Sequence, residues 1–355
     1  MTSKERVMTA LDFRTPDRVP VAPMAFWAEF ADMWRAATGI EEPIEDWFGE
    51  DIFIAVGDET PYPSLAGEAV RENGYTLARD GWGQLKRTRE GASFFEQVEV
   101  SYADDGTLRH GDFEPADLER RYRRLDGQMA ALKERYCVFA KVGGPFIRTG
   151  FMRGEAHWLM DLAADPPMAA EMAMRTAQHL TAIGLEQLRR WDLYDTGVWI
   201  FDDMAATKGP MFSPATAERI LAPAWSLMIE SFKQAGAAKV ILHSDGDISP
   251  LLDIFIDVGF DGINPVEHHP GLNALDLRAR YGDRLALLGG LDNRLILPRG
   301  DHAEVRQHVL DVLAAGRDGG LAIGTHSIGP DVSVETMELV RETLIEHGRY
   351  PMPPA

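Results

Sequence analysis

The chain has 355 residues, 45% of them hydrophobic, and a formal charge of −20 from 36 basic and 56 acidic side chains. That apolar content supplies a large core, while the acidic balance argues against nucleic acid or anionic membrane surfaces as partners, since both need a basic face. The single Cys137 excludes an intramolecular disulfide framework and a cysteine-rich metal site. No apolar run reaches the roughly 18 residues of a membrane span, and Met1-Thr2-Ser3-Lys4-Glu5-Arg6 lacks a signal peptide's apolar stretch, so a cytoplasmic location is expected.

In chain order, Lys4 to Leu11 reads as a short amphipathic helix. Thr15-Pro16-Asp17-Arg18-Val19-Pro20 then leads, extended, into Val21-Ala22-Pro23-Met24, and Glu29 to Thr38 forms a second helix. Residues 75–115 read as a hairpin excursion, with Asp80-Gly81-Trp82-Gly83-Gln84, alternating Phe94/Phe95, Val98 and Val100, and a turn at Asp105-Gly106. From residue 136 the pattern is regular. Strand-like runs at 137–142, 197–202, 238–243, 261–264, 285–289 and 320–323 alternate with helical stretches at 155–163, 168–190, 214–234, 250–258, 274–280, 301–316 and 333–347. Such alternation is the mark of a parallel α/β architecture, which keeps its chemistry where strands end and loops begin.

Those ends carry polar side chains. Lys239-Val240-Ile241-Leu242 runs into His243-Ser244-Asp245-Gly246-Asp247, where period-two geometry aims His243 and Asp245 the same way and Gly246 permits a sharp turn. A satisfied His followed by a capping Asp247 or Ser249 is the alternative reading. Val198-Trp199-Ile200-Phe201 ends in Asp202-Asp203; the alternative there is a solvated loop with one N-cap, although caps usually sit immediately before the helix and Ser213-Pro214 starts it ten residues or so later. The run 261–264 ends in Asn264-Pro265-Val266-Glu267-His268-His269, Leu285 to Leu288 in Gly289-Gly290-Leu291-Asp292, and Leu321 to Gly324 in Thr325-His326. His243, Asp245 and His326 together suit a divalent metal ion, zinc included, with an open position for substrate. An acid/base and hydrogen-bonding site without metal is the competing view.

At these motifs the chain resembles the uroporphyrinogen decarboxylase superfamily, a group of (β/α)8 barrels that also holds corrinoid-dependent methyltransferases. The resemblance rests on Asp202-Asp203, His243-Ser244-Asp245-Gly246, Gly259-Phe260-Asp261-Gly262-Ile263-Asn264-Pro265, Gly289-Gly290-Leu291-Asp292 and His326 with Pro330-Asp331-Val332, and extends from Ser3 to the final helix. It implies a TIM barrel over residues 1–355 as one domain, with residues 1–135 an N-terminal extension, hairpin insertion and first elements, and 136–350 the regular part. A homodimer is implied by the same similarity.

Within the superfamily the details resemble the methyltransferase side. Decarboxylases hold their polycarboxylate substrate with an arginine-bearing N-terminal segment; here Val19 to Trp34 offers Phe26 and Trp27 and carries no Arg. Buried carboxylates need cationic partners, so this segment suits a small methylated or aromatic substrate. The methyltransferase relatives bind zinc through His-x-Cys and a later Cys; the equivalent positions here are His243-x-Asp245 and His326. The resemblance therefore implies a metal site at His243, Asp245 and His326, catalytic roles for Asp202, Asp203 and Glu267, and substrate binding by Phe26, Trp27, Asn264 and Asp292. The expected reaction moves a methyl group from a methoxy or methylamine type donor to a corrinoid (cobalamin) on a separate protein, since the chain has no Asp-x-His-x-x-Gly corrinoid motif. The alternatives are a metal-free carboxy-lyase acting on a tetrapyrrole or small aromatic acid, and a non-catalytic binder.

Overall fold

The computed structural model describes residues 1–67, 69–89, 95–104, 106–268 and 272–352; Phe94, Asp105 and His269, singled out above, lie outside them. Seven strands, β1 Ile52–Val56, β2 Cys137–Gly143, β3 Gly197–Phe201, β4 Lys239–His243, β5 Gly262–Val266, β6 Ala286–Gly290 and β7 Leu321–Gly324, form one sheet in that order. All six neighbouring pairs are parallel. Six of the seven were expected from apolar runs. The short β1 was not, because its five residues stand apart from the regular strand–helix alternation.

Strand side chains alternate between two separate apolar environments. Ile52, Cys137, Phe139, Trp199, Ile241, Ala286, Leu288 and Ala322 form an inner cluster with Ala22 and with Val7 and Leu11 of the helix Ser3–Leu11. Val138, Ala140, Val198, Ile200, Val240, Leu242, Ile263, Leu287 and Ile323 belong to a larger cluster shared with the surrounding helices. Burial on both faces is why these strands read as continuous apolar runs rather than alternating ones. Cys137 is a buried member of the inner cluster, and burial pushes its thiol up, away from nucleophilic use.

The sheet curls until its edges share one segment. Ala22 N donates to Ile323 O at 2.7 Å, Ile323 N to Pro20 O at 2.9 Å, and Asp51 N to Val21 O at 2.9 Å. Val21 makes a parallel bridge to Ile323, though no regular eighth strand is assigned among the described residues. Asp51, 1% exposed, pins this junction by accepting from Val21 N, Ser3 Oγ, Arg6 and Arg18.

The excursion between β1 and β2 is larger than a hairpin. Val70–Glu72, Tyr75–Arg79, Leu85–Arg89 and Phe95–Glu99 form a four-stranded antiparallel sheet. Asn73-Gly74, with φ of 52° and 76°, supplies the tight turn that adds the first strand, a signal present in the sequence. The Asp80 carboxylate closes the next turn by accepting from Trp82 N and Gln84 N.

Candidate active site

Register places the first group of site residues. His243 is paired across the sheet with Phe201 on β3 and with Asn264 on β5, so all three project from the same face at the carboxyl end. The Phe201 ring stacks on the imidazole with centroids 4.1 Å apart. Asn264 Nδ2 donates to Leu288 O at 3.3 Å, which turns its Oδ1 toward His243 Nδ1 at 2.6 Å. That carbonyl can only accept, so His243 carries its proton on Nδ1 and presents the Nε2 lone pair to the cavity.

Loops bring the remaining groups. Gly246 has φ 81°, and a Cβ there would stand 2.7 Å from Ala205 O, so the turn after β4 needs glycine for both conformation and space. The loops after β3 and β4 are laced by Met204 N to Ser244 Oγ (3.2 Å), Asp245 N to Asp203 Oδ1 (3.2 Å) and Asp247 N to Ala206 O (3.1 Å). His326 enters from the loop after β7, its Nε2 3.0 Å from Asp245 Oδ2 and its Nδ1 3.0 Å from Ser327 Oγ. His243 Nε2 lies 3.5 Å from Asp245 Oδ1 and 3.7 Å from Asp203 Oδ1.

Ligand atoms of His243, Asp245 and His326 thus gather within 4.8 Å of one another. Burial pushes the Asp245 carboxyl up, but the hydrogen bond from His326 and both imidazoles bring it below its ordinary value. The same hydrogen bond raises His326 above its ordinary value against burial. Asp245 Oδ1 is buried and has no hydrogen-bond partner among the described residues. Two imidazoles, a carboxylate with an unused oxygen and a preset Nε2 fit a divalent metal ion of the zinc type.

Other expected site residues lie elsewhere. Asp202 is fully buried and faces away from the cluster, accepting from Ile147 N (2.8 Å), Phe146 N (3.3 Å) and Trp225 Nε1 (2.8 Å). It anchors the start of the helix Pro145–Arg153, and burial lifts its carboxyl to about 7 despite those donors. Asp292 is also turned inward, its Oδ1 accepting from Arg294 N and Leu295 N in the loop after β6. Glu267 pairs with Arg294 at 3.9 Å and adds negative charge felt by His326. Phe26 packs on Phe30 and Phe48, leaving Trp27, 52% exposed, beside Gly329 in the His326 loop. Phe201 and Ser327 touch the cluster and were not anticipated. The pairing of strand ends would have found Phe201.

The pattern of the uroporphyrinogen decarboxylase (URO-D) family matches residues 90–347, well over half of the sequence. The chain belongs to the uroporphyrinogen decarboxylase family. No curated protein matches it. Among solved structures, a methyltransferase from Methanosarcina mazei is 16% identical with a TM-score of 0.71, over 98% of this chain and 99% of that one. That likeness establishes a shared fold across the full length. A B12-independent methionine synthase from a Shewanella species aligns at 12% identity and a TM-score of 0.41, over 94% of this chain and 93% of that one.

Val19–Trp34 carries no arginine, but two cations near the sheet's carboxyl end come from β2 and the helix after it. Glu59 is buried against Lys141 Nζ at 2.9 Å and Arg148 Nη2 at 2.6 Å. Burial opposes ionisation of Glu59, but the two cations hold its carboxyl below the usual range, while burial lowers Lys141 in turn. Lys141 Nζ also lies 5.3 Å from the Phe201 ring that backs His243. No helix among the described residues is long and apolar enough to cross a membrane.

Proposed function

We propose that the chain is a metal-assisted methyltransferase, moving a methyl group from a small methoxy or methylamine type donor to a corrinoid carried by a separate protein. The observation that carries this reading is the His243–Asp245–His326 cluster, whose atoms converge within 4.8 Å at the carboxyl end of a curled parallel sheet. Family membership and the fold shared with the M. mazei methyltransferase support it. We read the sheet as a (β/α)8 barrel in which the Pro20–Ala22 segment stands for the eighth strand.

Each residue has a stated task. His243, Asp245 and His326 would hold the metal ion, and Asn264 fixes which nitrogen of His243 is offered. A zinc-type ion held there would supply Lewis acidity toward the donor's oxygen or nitrogen. Asp203 and Glu267 are the carboxylates suited to orient the donor or pass a proton to its departing heteroatom. Trp27 forms an apolar rim beside the His326 loop. Asp202 serves as a positioning residue.

The test is metal analysis of the purified chain beside His243→Ala and Asp245→Asn. Near-stoichiometric zinc in the wild type and its loss in both folded variants is the expected result, followed by corrinoid-dependent demethylation of methoxy or methylamine compounds. Absence of metal from every sample, with folding intact, would overturn the reading. A second reading, a metal-free carboxy-lyase, draws on the Lys141 and Arg148 cations gathered around Glu59; that result would bring it forward.

A further inference from the structure

A cavity of about 400 Å³ lies between the four-stranded excursion sheet, the helices Pro145–Arg153 and Glu155–Ala164, and the loop after β3. None of the His243 cluster lines it. Its accessible walls are Phe95, 47% exposed, Met211, 42% exposed, and the half-buried Phe151, with the buried Phe146 and Trp158 behind them. The size suits a small organic ligand, and aromatic rings and a thioether make the walls polarisable.

Glu155 is the one charged side chain among the described residues that line the cavity. It is exposed, and it makes no ion pair and no side-chain hydrogen bond among the described residues. Cations on the neighbouring elements are engaged with carboxylates of their own: Lys86 with Asp80 at 2.7 Å, Arg148 with Glu59 at 2.6 Å and Arg153 with Asp161 at 2.7 Å. An unpaired glutamate on open surface needs no explanation, but this one shares a concave wall with aromatic rings. Both accessible rings already attract positive charge. Lys86 Nζ stands 4.2 Å from the Phe95 centroid and the Arg148 guanidinium 4.8 Å from that of Phe151, and neither cation lines the cavity. The amide nitrogens of Gln84 and Gln97, which also line it, are both directed at Phe151 O, at 2.5 and 3.4 Å.

We propose that this cavity binds a small organic cation of the methylated ammonium type, its methyl groups against Phe95, Phe151 and Met211 and its charge beside Glu155. A carboxylate ligand would meet Glu155 as a like charge, and a hydrocarbon would leave it unanswered. A primary ammonium is strongly hydrated and asks for several acceptors, whereas a methylated one asks for apolar contact and a diffuse negative field, which these walls supply. The inference does not depend on a metal ion or on methyl transfer.

Calorimetric titration of the full chain with choline, and with neohexyl alcohol as the same shape with carbon in place of the charged nitrogen, tests it. Saturable binding of choline at one site is expected, with the alcohol about tenfold weaker or more. Glu155→Gln, at an exposed position, should keep its Tm, weaken choline about tenfold and leave the alcohol unchanged. Phe151→Leu keeps the backbone acceptor and an apolar wall and should weaken choline more than the alcohol. His326→Ala should bind choline like the wild type, so failure of the metal reading leaves this result intact. Absence of saturable choline binding, equal affinity for the two probes, or wild-type choline affinity in a folded Glu155→Gln or Phe151→Leu would each overturn the proposal.

Discussion

The side-chain amide of Asn264 works through two contacts, donating to Leu288 O and accepting from His243 Nδ1. A histidine held this way has lost its choice of tautomer, so the effect of Asn264 should appear in the affinity of the neighbouring cluster rather than in folding. Asn264→Ala is expected to weaken zinc binding by roughly 10- to 100-fold, with a Tm near that of the wild type, measured by competition with a chelating dye. A variant with unchanged zinc affinity would remove Asn264 from this role. The sequence showed His243, Asp245 and His326 because each closes or closely follows a strand-like run. It showed Asn264 only as a motif residue, since which strand ends lie side by side is decided by sheet register. The resemblance suggested substrate binding for Asn264, whereas the structure gives it hydrogen bonds to His243 and Leu288.

The end of β3 shows how one element divides two adjacent carboxylates. Phe201 faces the interior, Asp202 the helix layer, and Asp203 the cluster again, following the alternation of extended chain. Gly144 is the matching concession on the partner side, because a Cβ there would stand 2.1 Å from the Asp202 carboxyl carbon. Asp202→Asn puts an amide donor against at least one N–H and should lower stability by about 1–3 kcal/mol while leaving metal content unchanged. Asp203→Asn should do the reverse, with Tm held and turnover reduced. Denaturant melts and turnover assays on the two variants, run in parallel, distinguish these roles; matching phenotypes would refute the division. The alternation that separates the pair was readable in the sequence. What was missing was the destination of Asp202, because the helix Pro145–Arg153 that receives it shows glycine at 150 and arginine at 148 and 153 instead of a clear apolar stripe.

Across the whole molecule, two buried histidines outside the cluster link stability to pH. Burial lowers His179 and His308 to about 4. His179 Nε2 lies 2.9 Å from Glu59 O, and His308 Nε2 accepts from Asp292 N at 2.9 Å. Between their folded value and the ordinary 6.5 the unfolded chain binds protons that the native chain refuses, so stability rises with pH in that window. Their contribution is complete above about 6.5 and is lost as pH falls toward 4, on the order of 2 kcal/mol per histidine at pH 5. The paired variant His179→Gln and His308→Gln keeps a donor and an acceptor at the two sites and should flatten the Tm profile between pH 6.5 and 4.5. Superimposable profiles would show that other groups govern acid sensitivity. At this scale the parallel α/β order was legible from the alternation of runs and helices. The meeting of the sheet's edges was not, because the segment at Val21 pairs through single residues and leaves no periodic trace.

That junction also bears on how the chain is made. Val21 and Ile323 are joined across roughly 300 residues, and at about 5–20 residues per second the ribosome needs some tens of seconds to deliver the second after the first. During that interval the apolar Val7, Leu11 and Ala22, destined for the sheet's interior, have no β7 to cover them. The nascent N-terminal arm is therefore the stretch of this protein with the longest wait for its final partner, and the natural place for a chaperone to hold it.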